Sequence, residues 1–153
     1  MNRITNSIVT NKFVRLIEEN HQEIIEHFMN DLLHNKKTVG YTKLDANDVY
    51  EIGSRVYREL SKWVAKDLPK DEVKEYYQKI GKIRRQEGIP ASQFFQALVL
   101  LKRHLWLFVR RKLENEFTDY KQAMDVNDRV VLFFDRAAYY MLIGYEEEAG
   151  KKW

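Results

Sequence analysis

Glu23, His27, Asn30 and His34 are polar side chains that recur at helical spacing, and they could bind a metal ion. They share one stripe of a predicted helix, and carboxylates and imidazoles on one helix face can build a metal site inside a helix bundle. The apolar stripe of the same helix lies on the opposite side, whereas bundle ligands project inward. We therefore expect a solvated face and no bound metal.

Two further polar side chains fall in the apolar sector of a later predicted helix. His104 is expected to be a half-buried, hydrogen-bonded histidine, and the alternative is an axial ligand of a haem. Lys102 is expected to reach water with its ammonium group past an apolar stem. A buried Lys102 would instead need a partner, for which Asp135 on the following helix is the candidate.

The composition excludes several kinds of chemistry. The chain has no cysteine, so disulfides, cysteine-based zinc sites, iron–sulfur clusters and thiol catalysis are excluded. Its six glycines are isolated, which excludes a glycine-rich phosphate-binding loop, and neither a nucleophile-elbow serine nor an HExxH motif occurs. We expect no catalytic site and no cofactor. The net charge of +3 is too small to predict a nucleic-acid partner.

The elements that must position these side chains are helices, because apolar residues recur at helical spacing along nearly the whole chain. Six Gly and two Pro in 153 residues leave few turns, which argues against an all-β fold. We predict one all-α domain over 1–153, with a loop at 35–43. The expected helices cover about 6–18, 20–34, 45–67, 71–87, 90–116 and 122–147. Asn20 and Glu23 have the spacing of a capping box, so a helix start is predicted at Asn20.

The fifth predicted helix is apolar around almost its whole circumference, so we expect it to be the buried central helix of the bundle. Basic residues near the ends of the fourth and fifth helices, among them Arg84 and Arg85, are expected to oppose the helix dipoles and face water. Gly53 and Gly81 lie inside helices, at a cost of about 1 kcal/mol each relative to Ala. They predict a close approach between helices, and the alternative is space for a small ligand.

The stretch from Lys79 to Phe108 resembles the N-terminal domain of RsbR-type stressosome co-antagonists, and it is similar to input domains of some bacterial sensor histidine kinases. The shared features are an Arg pair before Gly88, then Ile89-Pro90, then a long apolar helix with a central basic pair and Trp106. A second likeness runs from Phe133 to Tyr140 and is followed by Gly144-Tyr145.

The resemblance implies a globin-like helical domain that forms dimers, usually lacks haem and carries no catalytic residues. It also implies a sensory or protein-interaction role in a bacterial signalling chain. We therefore expect a non-catalytic input domain that senses a ligand or binds a partner protein, with a haem-based gas sensor using His104 as the alternative. In the family this domain commonly precedes a STAS or kinase domain, so this chain is either free-standing, acting through a partner protein, or a piece of a longer protein.

The terminal helices carry more apolar surface than one buried stripe requires, so we expect a homodimer. The expected interface uses Ile8 of the first helix and Val131, Phe134, Ala138 and Leu142 of the sixth. No run of 18 apolar residues occurs, so no membrane span is expected. The first ten residues lack the apolar region of a signal peptide, which predicts a cytoplasmic location.

Overall fold

The structure, a computed structural model, describes the backbone of residues 3–64, 70–113 and 120–150 and the side chains of residues 11–64, 71–112 and 124–150. These ranges contain α-helices, one 3-10 helix and no β-strand. The helices are α1 (Arg3–His34), the 3-10 helix (Lys36–Lys43), α2 (Ala46–Val64), α3 (Lys70–Gln86), α4 (Ala91–Leu113) and α5 (Tyr120–Ala149). The all-α class is confirmed. In the described ranges, no helix combines the length and apolarity needed to cross a membrane.

The first two predicted helices are one continuous helix, so the capping box predicted at Asn20 is wrong. The Asn20 side chain donates a hydrogen bond to the Leu16 carbonyl, four residues back in the same helix, at 2.8 Å. It therefore bonds within the helix and does not cap a new one. The buried side chains Ile17 and Ile24 are two helical turns apart, so the apolar stripe of the helix continues past Asn20 on the same face.

The segment predicted as a loop at 35–43 is mostly the 3-10 helix, with a kink at Thr38. Asn35 caps it, since its side-chain oxygen accepts a hydrogen bond from the Lys37 amide at 2.9 Å. Asp45, where the third predicted helix starts, caps α2, because its Oδ1 accepts from the Asn47 amide at 2.8 Å. A short polar side chain at each start satisfies backbone donors that have no partner within the helix.

Gly88 ends α3 as predicted. Its φ is +76°, a conformation that glycine adopts without steric cost. The Gly88 amide donates to the Arg85 carbonyl and the Ile89 amide to the Arg84 carbonyl, both at 3.0 Å. These two bonds form a Schellman motif, which closes the helix end and turns the chain towards α4.

Glycines bring α3 and α5 into direct backbone contact. A Cβ atom built on Gly81 would lie 1.9 Å from the Met141 carbonyl oxygen, and one built on Gly144 would lie 2.0 Å from the Gln78 carbonyl oxygen. The close approach expected for Gly81 is thus confirmed. A Cβ on Gly53 would meet side-chain atoms instead, Cδ1 of Ile25 at 2.5 Å and Cε2 of Phe28 at 3.6 Å, so α1 and α2 meet through side chains.

The buried apolar side chains of α1 to α5 form one core. Helix α4 contributes much of it, including Phe94, Leu100 and Leu105, each 0% exposed. The expectation that α4 is covered on nearly all sides is wrong in one respect, because Phe95 is 45% exposed and Leu107 is 54% exposed. The covering helices leave these positions open to solvent.

Candidate functional site

A groove lies between α4 and α5 on the described surface. Its volume is about 50 Å³. Its walls combine apolar side chains with one basic and one acidic group, and they include Phe95, Val99 and Lys102 of α4 and Phe134, Asp135 and Ala138 of α5. A groove of this composition can hold apolar side chains of another helix and pair with charges beside them.

Three of the groove's lining residues on α4 and two on α5 belong to stripes that continue along their helices at heptad-like spacing. On α4 the positions are Phe95, Val99, Lys102 and Trp106, and on α5 they are Val131, Asp135, Ala138 and Leu142. Each stripe advances by four, three and four residues, which is the spacing of helices that pack side by side in coiled coils and bundles. We call these two stripes together the α4–α5 seam. Each stripe carries three apolar positions and one charge.

The seam is partly open to solvent. Phe95 is 45% exposed and Val131 is 36% exposed, while Val99, Ala138 and Leu142 are half-buried. Beside the seam, Met124 is 40% exposed and Tyr139 is 62% exposed. Large apolar side chains that are exposed to solvent in the same region of a fold typically mark an interaction surface.

Three of the predicted interface residues lie on the seam, and the other two do not. Val131, Ala138 and Leu142 lie on the seam. Phe134 is only 4% exposed, because its ring packs edge-on against Phe133 with centroids 5.6 Å apart, so it forms the inner wall of the groove within one protomer. Ile8 belongs to α1, but its side chain lies outside the described residues.

Lys102 and Asp135, its candidate partner in the alternative of a buried lysine, line the same groove. Within the described part of the chain, however, no ion pair joins them. Lys102 is half-buried and Asp135 is exposed, which agrees with a lysine whose ammonium group reaches water past an apolar stem. Both charges remain available to a partner.

His104 links α4 to α1. Its Nε2 lies 2.8 Å from Oδ2 of Asp31, and since a carboxylate only accepts hydrogen bonds, Nε2 carries the proton and donates. Burial raises the pKa of Asp31, but the hydrogen bonds from His104 and Asn35 lower it more, so the net shift is downward. A haem iron would need an unprotonated imidazole nitrogen, and the Asp31 bond holds the proton on Nε2. This geometry does not fit haem ligation through Nε2 of His104.

The other candidate ligands lie apart from any site. Glu23, His27, Asn30 and His34 are all exposed, as the helical stripe predicts, and Nδ1 of His34 is 2.7 Å from the Asn30 carbonyl oxygen. Among the residues whose side chains are described, no three His, Asp or Glu come together in a way that could hold a metal ion.

A buried arginine, missed by the sequence reasoning, lines a pocket among α2, α3 and α4. Arg84 was expected to face water, yet it is 3% exposed. Its Nη1 donates to Glu87, and its guanidinium lies 5.3 Å from the centroid of the Tyr41 ring. Burial raises the pKa of Tyr41 to about 12, although the positive charge of Arg84 works in the opposite direction. The spacing along α3 indicates that Arg84 is buried, because Tyr77, Ile80 and Arg84 share one stripe of this helix.

Comparisons of the chain with protein-family models, with curated proteins and with solved structures found no match. The resemblance to RsbR-type domains therefore rests on the residues quoted for it, and the globin-like arrangement stays an expectation.

Proposed function

We propose that this chain is a non-catalytic, homodimeric input module of bacterial signalling, working in the cytoplasm. The observation that carries the proposal is the α4–α5 seam, with exposed apolar groups and two charges that have no ion-pair partner on the described part of the protomer. The resemblance to stressosome and histidine-kinase input domains supports the same role. The geometry of His104 lends no support to the haem-based alternative.

A second copy of the chain fits the seam by symmetry. In a twofold interface the same patch is used on both sides, so residue i of one copy meets residue j of the other and the reverse. A patch that carries one lysine and one aspartate is self-complementary under that operation. Lys102 of each protomer can then pair with Asp135 of the other, while Phe95, Val131 and Leu142 lose their contact with water.

Such a dimer suits signalling because both helices of the seam also belong to the protomer core. Phe134 lies in the groove wall and in the core at once. A ligand or partner that shifts core packing therefore shifts the seam, and the two protomers rearrange relative to each other. Small shifts of this kind at a subunit interface are a common way to pass a signal between chains.

Sedimentation velocity at several protein concentrations tests the dimer. The disrupting variant is Phe95→Glu, because Phe95 lies on the seam and is 45% exposed, so the protomer fold does not depend on it. The control is Leu107→Glu, which changes a 54% exposed apolar residue of the same helix outside the groove. We expect Phe95→Glu to be monomeric and Leu107→Glu to stay dimeric. A monomeric wild type at high micromolar concentration, or equal behaviour of the two variants, would refute the proposal.

A charge exchange tests the pairing across the twofold axis. Lys102→Glu and Asp135→Lys should each weaken dimerisation, because each places like charges opposite one another. The double variant restores opposite charges and should dimerise more tightly than either single variant. If the double variant is as weak as the two single changes combined, the two charges do not face each other.

A further inference from the structure

A pocket of about 30 Å³ lies where α2, α3 and α4 meet, and its walls also include Tyr41 of the 3-10 helix and Met141 of α5. Its walls are mainly apolar and include Gly53, Ala97 and Leu101. One water molecule needs about 10–15 Å³ of such space, so the cavity has room for two or three groups of that size. This is the size of a very small organic molecule.

The charged group in the cavity wall is Arg84, whose side chain is 4% exposed. A guanidinium presents five N–H donors in a planar fork that matches a carboxylate. Glu87, whose side chain is 31% exposed, accepts from one of them, on Nη1. A buried cation beside an apolar space is costly unless an anion stands by it, and Glu87 reaches it from the surface turn that ends α3.

We propose that this cavity binds a small monocarboxylate of the size of acetate. The carboxylate pairs with the Arg84 guanidinium, and the methyl group lies against Ala97 and Leu101. The ligand carboxylate can replace that of Glu87, which is next to Gly88 and can turn to solvent. Charge at Arg84 stays neutralised in both states, so the exchange leaves no cation unpaired.

The inference deepens the proposed function at one point. Leu98 lines both this cavity and the groove between α4 and α5, so a bound molecule contacts a side chain that also shapes the seam. Ligand binding itself does not depend on the dimer. Ligand binding is therefore measured separately from the oligomeric state, so the proposed ligand can be refuted while the proposed dimer stands, and the reverse.

The test is a methyl NMR titration of the full chain, with the Ile80, Leu98 and Leu101 methyl signals as reporters. Acetate should shift these signals saturably at millimolar concentration, since a ligand of so few atoms makes few contacts. Acetamide has nearly the same shape as acetate without the charge, so it should cause no saturable shifts. Sodium chloride at equal ionic strength controls for screening.

Variants separate the cavity from general anion binding. Arg84→Met should weaken acetate binding about tenfold or more, because a charge-assisted hydrogen bond is lost. Ala97→Val narrows the cavity with Arg84 in place and should also abolish the shifts. Arg136→Met removes an arginine that lies over Trp63, 5.1 Å from the ring centroid and away from this cavity, and should bind like the wild type. No saturable shift in the wild type, equal shifts with acetamide, or unchanged binding in both cavity variants would overturn the proposal.

Discussion

The contact between α3 and α5 can be tested by adding a single methyl group at Gly81. In an exposed helix, Gly→Ala stabilises by about 1 kcal/mol because alanine has the better helix propensity. Here the new Cβ would lie 1.9 Å from the Met141 carbonyl oxygen and 2.9 Å from the Tyr145 amide nitrogen. Both atoms belong to the α5 backbone, so no side chain can rotate away. To reach 3.0 Å, a limit below which real Cβ contacts are essentially never seen, the two backbones must separate by about 1.1 Å.

The size of the effect follows from two opposing contributions. A gap of 0.5–1 Å loses about a quarter to a half of the dispersion attraction between facing atoms, and forced overpacking costs about 1–3 kcal/mol. A backbone clash belongs at the upper end, about 3 kcal/mol, and the helix-propensity gain offsets about 1 kcal/mol of it. We expect Gly81→Ala to lower the free energy of unfolding by about 2 kcal/mol, or the melting temperature by about 4–8 °C for a chain of this size.

Urea denaturation followed by far-UV circular dichroism measures this difference. The protein concentration must be the same for all variants, because the proposed dimerisation would add to apparent stability. Gly53→Ala is the matched control, since the close contact of its Cβ is the flexible end of Ile25, with Cε2 of Phe28 at an ordinary 3.6 Å, and we expect a change within about 1 kcal/mol. A Gly81→Ala protein as stable as the wild type, beside a Gly53→Ala protein that behaves as expected, would show that α3 and α5 are not in backbone contact.

Two further predictions concern the polar contact at His104 and the aromatic core. The pKa of Asp31 is lowered in the folded state, so its contact with His104 stabilises the fold above the ordinary pKa of 3.8, and this stabilisation is lost as the pH falls through the folded pKa. Asp31→Asn should therefore flatten the acid side of a stability profile obtained from urea melts, and an unchanged slope would contradict this. Phe133 is 0% exposed, so Phe133→Ala should cost about 3–5 kcal/mol. Trp106 is half-buried against Phe13, with ring centroids 5.9 Å apart, so Trp106→Ala should cost less, about 2 kcal/mol. A larger loss of stability for Trp106→Ala than for Phe133→Ala in urea melts would refute this account of the core.

Local signals in the sequence were enough to predict the helical class and several helix ends. The cap at Asp45 and the turn at Gly88 depend on backbone groups within a few residues, so the residue types alone identify them. The same holds for the exposed stripe of His27 and His34, whose direction follows from the apolar stripe of their own helix. The break predicted at Asn20 failed because its side chain had a second local partner, the Leu16 carbonyl, that the spacing did not reveal.

The features behind the proposed function depended on which helices lie beside one another. Composition alone could not show that Phe95 is exposed to solvent while Phe94 is buried, because both side chains are equally apolar. The neighbouring helices decide which side of α4 is covered. Arg84 belongs to a basic cluster in the sequence, but α3 turns it into the core beside Tyr41. His104 meets Asp31 across 73 positions of chain. The sequence by itself determined the helices and their apolar stripes through local hydrogen bonding and periodicity, whereas only the tertiary structure decided the seam and the cavity, because each forms between side chains from different helices.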